Sequence, residues 1–532
     1  MESTVKQVAL INPALSFQKD DVFTTGIPYM PIGLAQFAAV LEERGISFRV
    51  VDAFGEAPNS LSDRGKFMFR GLEAEEVVRR IDPGEFVAAV VYAINMASFG
   101  SMIEIVGRLK SEHPGLPVVL LENTQAVTSC ALWPILDDLF AAGADYVVTG
   151  EPERRGVRLI EAIAGGQGLP PGCDGIAAKS EKTRIPAAEQ IEDLDALPFP
   201  AWERFPIENY WKLRYAHGPL SSRRYLPLQT SRGCPFGCGF CVSPEVNKRR
   251  WRSRSPRNVV DEMEHWNRVL GVREFHIEDL DPTVNDARVR DFCRDLIQRR
   301  LPVRWKICAG TKVETLKDEE TVSLMARAGC RYISISPESG SPRILELMNK
   351  PFNRDHALRM IRAARRHGIR SQACFVLGWP DENDEDRLLT RRLVRDLTRA
   401  GVDETVFFIM TPVPGSKMFG ALTGYRDYQE LNFSPSWRAD YPELNRARKS
   451  LYASFLFWKL LFHPLALAMQ PFRFLLRRFE TKMEMTPYRA LHTAWLMSVG
   501  TPCKPESRAG KDEREPVTVK IGSHPKGKND EN

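Results

Sequence analysis

Several features are missing from this sequence, and each absence removes a class of function. The opening Met1-Glu2-Ser3-Thr4-Val5-Lys6 has no basic stretch leading into an apolar core, so no secretory leader is expected. The net charge is only +6 over 532 residues, and no aromatic-studded basic repeat accompanies it, so a nucleic-acid partner is not expected. No internal repeat occurs at periods of roughly 20–50 residues, which excludes solenoids and propellers. The ten cysteines do not form a disulfide pattern. Cys130, Cys173, Cys293, Cys308, Cys330, Cys374 and Cys503 are scattered, mostly in apolar contexts, and read as buried free thiols of a reducing, cytoplasmic compartment. A hydrophobic content of 43% and a charged content of 27% are those of an ordinary globular chain long enough for several domains.

The remaining three cysteines are close together. Cys234, Cys238 and Cys241 lie in the run Ser231-Arg232-Gly233-Cys234-Pro235-Phe236-Gly237-Cys238-Gly239-Phe240-Cys241, with spacing C-x3-C-x2-C. A tetrahedral zinc site built on them would be one ligand short, and His265 or His276 would have to complete it from afar. A cubane iron–sulfur cluster suits them better, because each thiolate holds one iron and the fourth iron stays open to another ligand.

Strand and helix alternate twice along the chain. Strands are expected at 8–13, 47–53, 86–93, 117–121 and 145–149, with helices at 33–44, 102–112, 131–141 and 154–164. This pattern implies a doubly wound, mostly parallel sheet over 1–165, which binds ligands outside the carboxyl ends of its strands. Residues 166–225 are rich in Gly, Pro and charge and read as a linker with an anchoring strip, without a core. A second alternation over 226–414 places strands at 226–231, 274–279, 304–309, 332–337, 372–378 and 404–411. Helices fall between them at 257–270, 286–299, 318–328, 354–367 and 384–399. Six such units make a partial barrel with its chemistry at the carboxyl ends of the strands, and the cysteine run follows the first of them. Residues 415–445 are irregular, 446–500 are helical, and 501–532 are polar and expected to be disordered.

The cysteine spacing, with Phe240 before the last cysteine, resembles the signature of radical S-adenosylmethionine (SAM) enzymes. In that family a 4Fe-4S cluster chelates SAM through its open iron and cleaves it by one-electron reduction to a deoxyadenosyl radical. Later strand ends, Ile335-Ser336-Pro337-Glu338-Ser339-Gly340-Ser341 and Phe375-Val376-Leu377-Gly378-Trp379-Pro380-Asp381-Glu382, resemble the SAM-contacting stretches of the same barrel. The resemblance makes Phe240, Glu338, Ser339 and Gly378 SAM contacts, with Asp381 standing where relatives often have glycine. The bland alternative is that such residues are only caps and turn formers. Lys306 is placed to reach a carboxylate.

Upstream, Pro31-Ile32-Gly33-Leu34-Ala35 and Val148-Thr149-Gly150-Glu151-Pro152-Glu153 resemble the cobalamin-binding domain of the cobalamin-dependent subgroup, a match covering about 1–415. Gly33, Gly150 and Asn123 are the implied cobalamin contacts. The motif D-x-H-x-x-G is absent, and the first 216 residues hold one histidine, His113. An imidazole from this domain on cobalt is therefore not expected, which is common in the subgroup; the alternative is a ligand-free Rossmann-like module. The implied fold is a Rossmann-like doubly wound domain, a partial (β/α)6 barrel and a helical C-terminal region.

Leu451 to Met469 is about the length of a membrane span, but Lys459, His463 and Pro464 interrupt it. Arg446, Arg448 and Lys449 precede it, and Arg473, Arg477, Arg478 and Lys482 follow, interleaved with Phe472, Phe474 and Phe479. The segment 446–482 suits peripheral contact with a membrane. A cap on the barrel, a dimer contact and a true span are the alternatives. The resemblance implies C-methylation of an unactivated carbon, of a small or lipid-like molecule, with an electron donor such as flavodoxin or ferredoxin. Cyclisation, rearrangement or carbon–carbon coupling is the second reading, and a non-catalytic metal-binding protein the third.

Overall fold

Alternation along the first strands sorts their side chains into two cores. Val8 and Leu10 of Gln7–Asn12, and Ala88 and Val90 of Phe86–Ala93, pack with the helices Ile32–Glu43 and Pro152–Ala164. Their neighbours Ala9, Ile11, Ala89 and Val91 face the opposite way, toward Ala74–Arg79 and Phe99–Glu112. A strand buried on both faces needs apolar residues at every position, as found here. The computed structural model describes residues 6–126, 128–169, 174–180 and 189–499. The tail 501–532, Cys173 and Cys503 lie outside the described residues.

The first sheet runs in the order Phe48–Asp52, Gln7–Asn12, Phe86–Ala93, Val118–Glu122, Tyr146–Val148, Ile176–Ala178. The first five strands are parallel, and the last is antiparallel to its neighbour. The order reverses between Gln7–Asn12 and Phe86–Ala93, which opens a crevice outside their carboxyl ends. Two additions escape sequence periodicity. One is the edge strand Ile176–Ala178, only three residues long; the other is a three-stranded antiparallel sheet of Leu15–Gln18, Leu61–Arg64 and Phe67–Arg70.

The second sheet holds Tyr225–Leu228, Glu274–Ile277, Arg304–Thr311, Cys330–Glu338, Arg370–Leu377 and Glu404–Ile409 in sequence order. All its pairings are parallel, so it is an open six-stranded barrel wall. The connecting helices are Pro256–Leu270, Asp286–Arg299, Glu319–Arg327, Arg354–Arg366 and Asp384–Ala400. The helix Tyr441–Phe462 packs on the last strand and on Asp384–Ala400, and Pro464–Ala468, Gln470–Leu476 and Lys482–Val499 complete the chain.

The expectation that 166–225 contributes no core is corrected. Trp202 and Tyr215 are 0% exposed, and both belong to one apolar cluster that spans the two sheets. The Tyr210 hydroxyl donates to Asp52 at 2.8 Å, and the Trp211 indole donates to the Tyr225 carbonyl at 2.7 Å. Averaged composition hides these aromatics among Pro, Gly and charge, yet each buries a large apolar surface.

Ion pairs also join the two halves. Arg232 and Arg252 are partners in a short antiparallel ladder, two residues per strand, that closes the base of the cysteine run. Arg232 meets Glu153 at 2.5 Å and Arg252 meets Glu151 at 2.5 Å, with every side chain at most 6% exposed. Glu151 also accepts the Ile191 backbone N–H at 2.7 Å. Removing one partner of such a pair strands a buried charge, which costs about 3–5 kcal/mol. Arg252→Met is therefore expected to lower the stability read by anaerobic denaturant unfolding by about that amount. Arg250→Met, which breaks the exposed pair with Glu192, should change it by less than about 1 kcal/mol.

Candidate functional site

The cysteine loop is held open by its neighbours. Gly233, at φ +80°, has no room for a side chain, since a Cβ there would lie 1.9 Å from the Arg250 carbonyl oxygen. Asp279, at the end of the second barrel strand, accepts from the Thr230 N–H at 2.7 Å and from the Thr230 and Ser231 hydroxyls at 2.6 Å each. On the far side, the Gly239 N–H donates to the Met348 carbonyl at 2.9 Å, and the Asn349 amide donates to that of Gly237 at 2.8 Å. Asp279 thus brackets the loop, and Asp281, bonded to Thr311 at 2.6 Å, brackets the third strand.

Cys234, Cys238 and Cys241 are partly buried and form no disulfide among the described residues. Burial pushes the Cys234 thiol up to about 12 and the Cys241 thiol to about 11, and the neighbouring sulfurs add to both. Three thiols that repel one another as thiolates are a donor set that a multivalent metal centre satisfies. The donors are all sulfur, as an iron–sulfur cluster requires. The histidines considered as a fourth zinc ligand are engaged elsewhere. His265 packs on Phe199 and Trp266, and His276 Nε2 lies 2.9 Å from Glu274.

The four residues assigned to SAM have different surroundings. Glu338 sits at φ 63° and pairs with Lys350. The Lys350 ammonium is also 5.7 Å from the centre of the Phe240 ring. Burial works against the charge of Lys350, but the adjacent Glu338 carboxylate raises its proton affinity overall. Phe240, Glu338, Lys350 and the cysteine loop therefore form one group. Nothing in the spacing of Lys350 singles it out, because its partner is twelve residues away, on the other side of the short helix Pro342–Leu347. Ser339 is used internally: its hydroxyl accepts from the Ser341 N–H at 3.1 Å and lies 3.3 Å from the Thr390 hydroxyl. Gly378, at φ +75°, donates its N–H to Glu382 at 2.7 Å. A Cβ there would lie 2.5 Å from Leu444, so this glycine admits the C-terminal helix. Asp381, at φ 66°, presents its carbonyl to Arg343 at 2.8 Å. Lys306 pairs with Glu274 at 2.8 Å. Burial alone would raise Glu274, but Lys306 and His276 hold it at about 2.

A cavity of about 870 Å³, mouth included, lies between the carboxyl edge of the first sheet and the barrel wall. Gly33 and Asn123 line it from the sheet side, and His217, His276 and Glu278 from the barrel side. At Gly33 a Cβ would lie 2.2 Å from the Tyr92 hydroxyl, so only bare backbone fits. Asn123 is held by the Ile94 carbonyl at 2.7 Å. Gly150 stands behind the wall, donating its N–H to the buried Glu122 at 2.6 Å, while the next residues, Glu151 to Glu153, reach the lining. Burial raises Glu122 to about 7. Glu153 Oε2 is buried and has no hydrogen-bond partner among the described residues. An orphaned oxygen beside a cavity of this size at a sheet switch point fits a large polar ligand such as cobalamin. The cavity's two histidines come from outside the first sheet, and His113 only ends the helix Phe99–Glu112.

His217 was not singled out by the sequence, though it is the first histidine after His113. Its Nδ1 lies 2.7 Å from Glu278, and its Nε2 lies 3.4 Å from the Lys482 ammonium. Burial lowers its proton affinity, and Lys482 adds to this against the pull of Glu278. With Nδ1–H donating to Glu278, Nε2 is the acceptor that faces the Lys482 ammonium.

Comparison with known proteins agrees with this arrangement. Residues 228–394 match the radical SAM superfamily. An uncharacterized methyltransferase of Pyrococcus horikoshii is 27% identical over 439 residues, 82% of this chain and 86% of its own length. An anaerobic magnesium-protoporphyrin IX monomethyl ester cyclase of Rubrivivax gelatinosus is 31% identical over 298 residues, 54% of this chain and 51% of its own. Among solved structures, the radical SAM methyltransferase TsrM of Kitasatospora setae, with tryptophan and a SAM analog bound, superposes with a TM-score of 0.59. It is 21% identical, covering 79% of this chain and 77% of that one. A second structure of TsrM contains cobalamin and a [4Fe-4S] cluster. Residues 228–394 thus form a radical SAM domain, and the chain as a whole shares the fold of TsrM.

Proposed function

We propose that this protein is a cobalamin-dependent radical SAM methyltransferase that methylates an unactivated carbon of an amphiphilic, lipid- or isoprenoid-like molecule. One observation carries the reading: the cavity joins the carboxyl edge of the first sheet to the barrel wall, and Gln229 and Arg232, just before the cysteine run, line it. When bound, the cluster supplies the electron that cleaves SAM and cobalamin supplies the transferable methyl group. The chain's own residues hold and orient. Cys234, Cys238 and Cys241 offer three thiolates, and the ion pair of Glu338 with Lys350, stacked on Phe240, fixes a polar wall beside them. Gly33 and Asn123 line the cavity at the sheet edge, with the Tyr92 hydroxyl packed on the bare Gly33 backbone, and the rings of Tyr29 and Tyr225 continue the wall. His217, held between Glu278 and Lys482, presents its ring in the barrel side of the cavity wall. A flavodoxin or ferredoxin is the expected reductant.

Ring closure without methyl transfer is the second reading, favoured by the similarity to the cyclases. Methyl-labelled SAM separates the two. With the holoenzyme under anaerobic conditions, methylation should yield S-adenosylhomocysteine together with deoxyadenosine, and label in the product. Deoxyadenosine without S-adenosylhomocysteine would support ring closure. Cys234→Ala should abolish the brown chromophore and both products.

The cavity assignment has its own test. Gly33→Val, which forces a side chain against Tyr92, should lower cobalamin retained per chain about tenfold while leaving iron content unchanged. Full cobalamin retention by that variant would place the cofactor elsewhere.

A further inference from the structure

The C-terminal helices leave an apolar surface uncovered. On Tyr441–Phe462, Phe457, Leu460 and Leu461 are 58%, 57% and 59% exposed. Leu465 and Leu475 beyond it reach 81% and 77%. The last helix adds Leu491 and Trp495, at 61% and 56%. A globular surface rarely concentrates large apolar side chains in this way unless something covers them.

The charges that interrupt the apolar run point inward. The Lys459 ammonium is buried and donates to the Asp403 carbonyl, and His463 Nε2 lies 2.7 Å from the Thr398 carbonyl. The outer face keeps only apolar groups. No single described helix is long and apolar enough to cross a membrane, and Tyr441–Phe462 meets the following Pro464–Leu476 segment at a bend of 112°. That geometry lays the helices along a surface.

Charge selects the partner. No Asp or Glu occurs between Glu443 and Glu480, whereas Arg446, Lys449, Arg477 and Arg478 are all present there. Arg214 donates to the Arg477 carbonyl at 3.2 Å, and after burial the positive charges of Arg223, Arg477 and Arg478 lower its proton affinity. A cluster of guanidinium groups beside an apolar face matches anionic headgroups above acyl chains.

We propose that the helices from Tyr441 to Val499 seat this protein on the surface of a bilayer containing anionic phospholipid. The same surface leads to the cavity. Arg489 of the last helix donates to the carbonyls of Phe23 and Thr25, and Phe23 is 58% exposed beside it. From Thr25 the chain runs directly to Tyr29 and Met30 in the cavity wall. At its other end the helix brings Lys482 to His217. An amphiphilic substrate could thus enter from the lipid. This last step rests on the proposed function; the docking itself does not.

Sedimentation of the full-length holoprotein with vesicles tests the docking. It should pellet with vesicles of phosphatidylcholine and phosphatidylglycerol, and less with phosphatidylcholine alone or at raised salt. Leu465→Asp/Leu475→Asp should cut the bound fraction about tenfold or more, while Val269→Asp, an exposed apolar position on a barrel helix, should not. Arg477→Glu/Arg478→Glu should remove the preference for anionic vesicles without disturbing the apolar face. Iron–sulfur absorbance and circular dichroism check that each variant is folded. No pelleting with either vesicle, pelleting unchanged in both double variants, or a solution dimer that Leu465→Asp/Leu475→Asp dissociates in place of vesicle binding would overturn the proposal. Cleavage of SAM in solution, measured on the same samples, reports separately on the enzymatic reading.

Discussion

The buried pairing of Arg232 and Arg252 with Glu153 and Glu151 is the constraint on which the rest of the site depends. The arginines flank the cysteine run, and the glutamates open the helix that follows the fifth strand of the first sheet. The network therefore fixes the distance and angle between a metal-binding loop and a sheet edge built from a different part of the chain. Four charges inside protein are costly to bury, and a hydrophobic contact of the same size would be no weaker. What the charges add is register: a guanidinium accepts only a carboxylate in its plane, so the two domains have one way to meet. Gln125 repeats the tie, accepting from the Gly233 N–H and donating to Asn247, each at 3.0 Å.

That register explains why the cavity is shared. Its sheet side is the crevice that any doubly wound sheet opens where strand order reverses, and its barrel side is the lumen of an incomplete barrel. Neither side alone encloses a ligand. The segment between them closes the join with Trp202, Tyr210 and Tyr215, so one apolar cluster runs unbroken from the first sheet into the barrel and ties the two halves together.

Elements with strong periodicity were legible in the sequence, and contacts across long separations were not. The apolar runs at 86–93 and 372–378 could only be buried strands, and the structure forms Phe86–Ala93 and Arg370–Leu377. The cysteine spacing carried its chemistry in eight consecutive residues. By contrast, Lys350 beside Glu338 and His217 beside Glu278 are pairs made by folding, with no local signature. Gly378, assigned by resemblance as a SAM contact, shows a further limit: the space a Cβ would take there is filled by Leu444, from a helix outside the family resemblance. The five aromatics of 202–215 were lost because Pro, Gly and charged neighbours dominated the composition of their segment.

The central claim is that one chain holds a cluster on its cysteine loop and cobalamin at its sheet edge. Metal and cofactor analysis of protein purified anaerobically, with cobalamin supplied during expression, tests it most directly. The account predicts about four irons and one cobalamin per chain, with no zinc. About one zinc per chain, without iron or cobalamin, would contradict it.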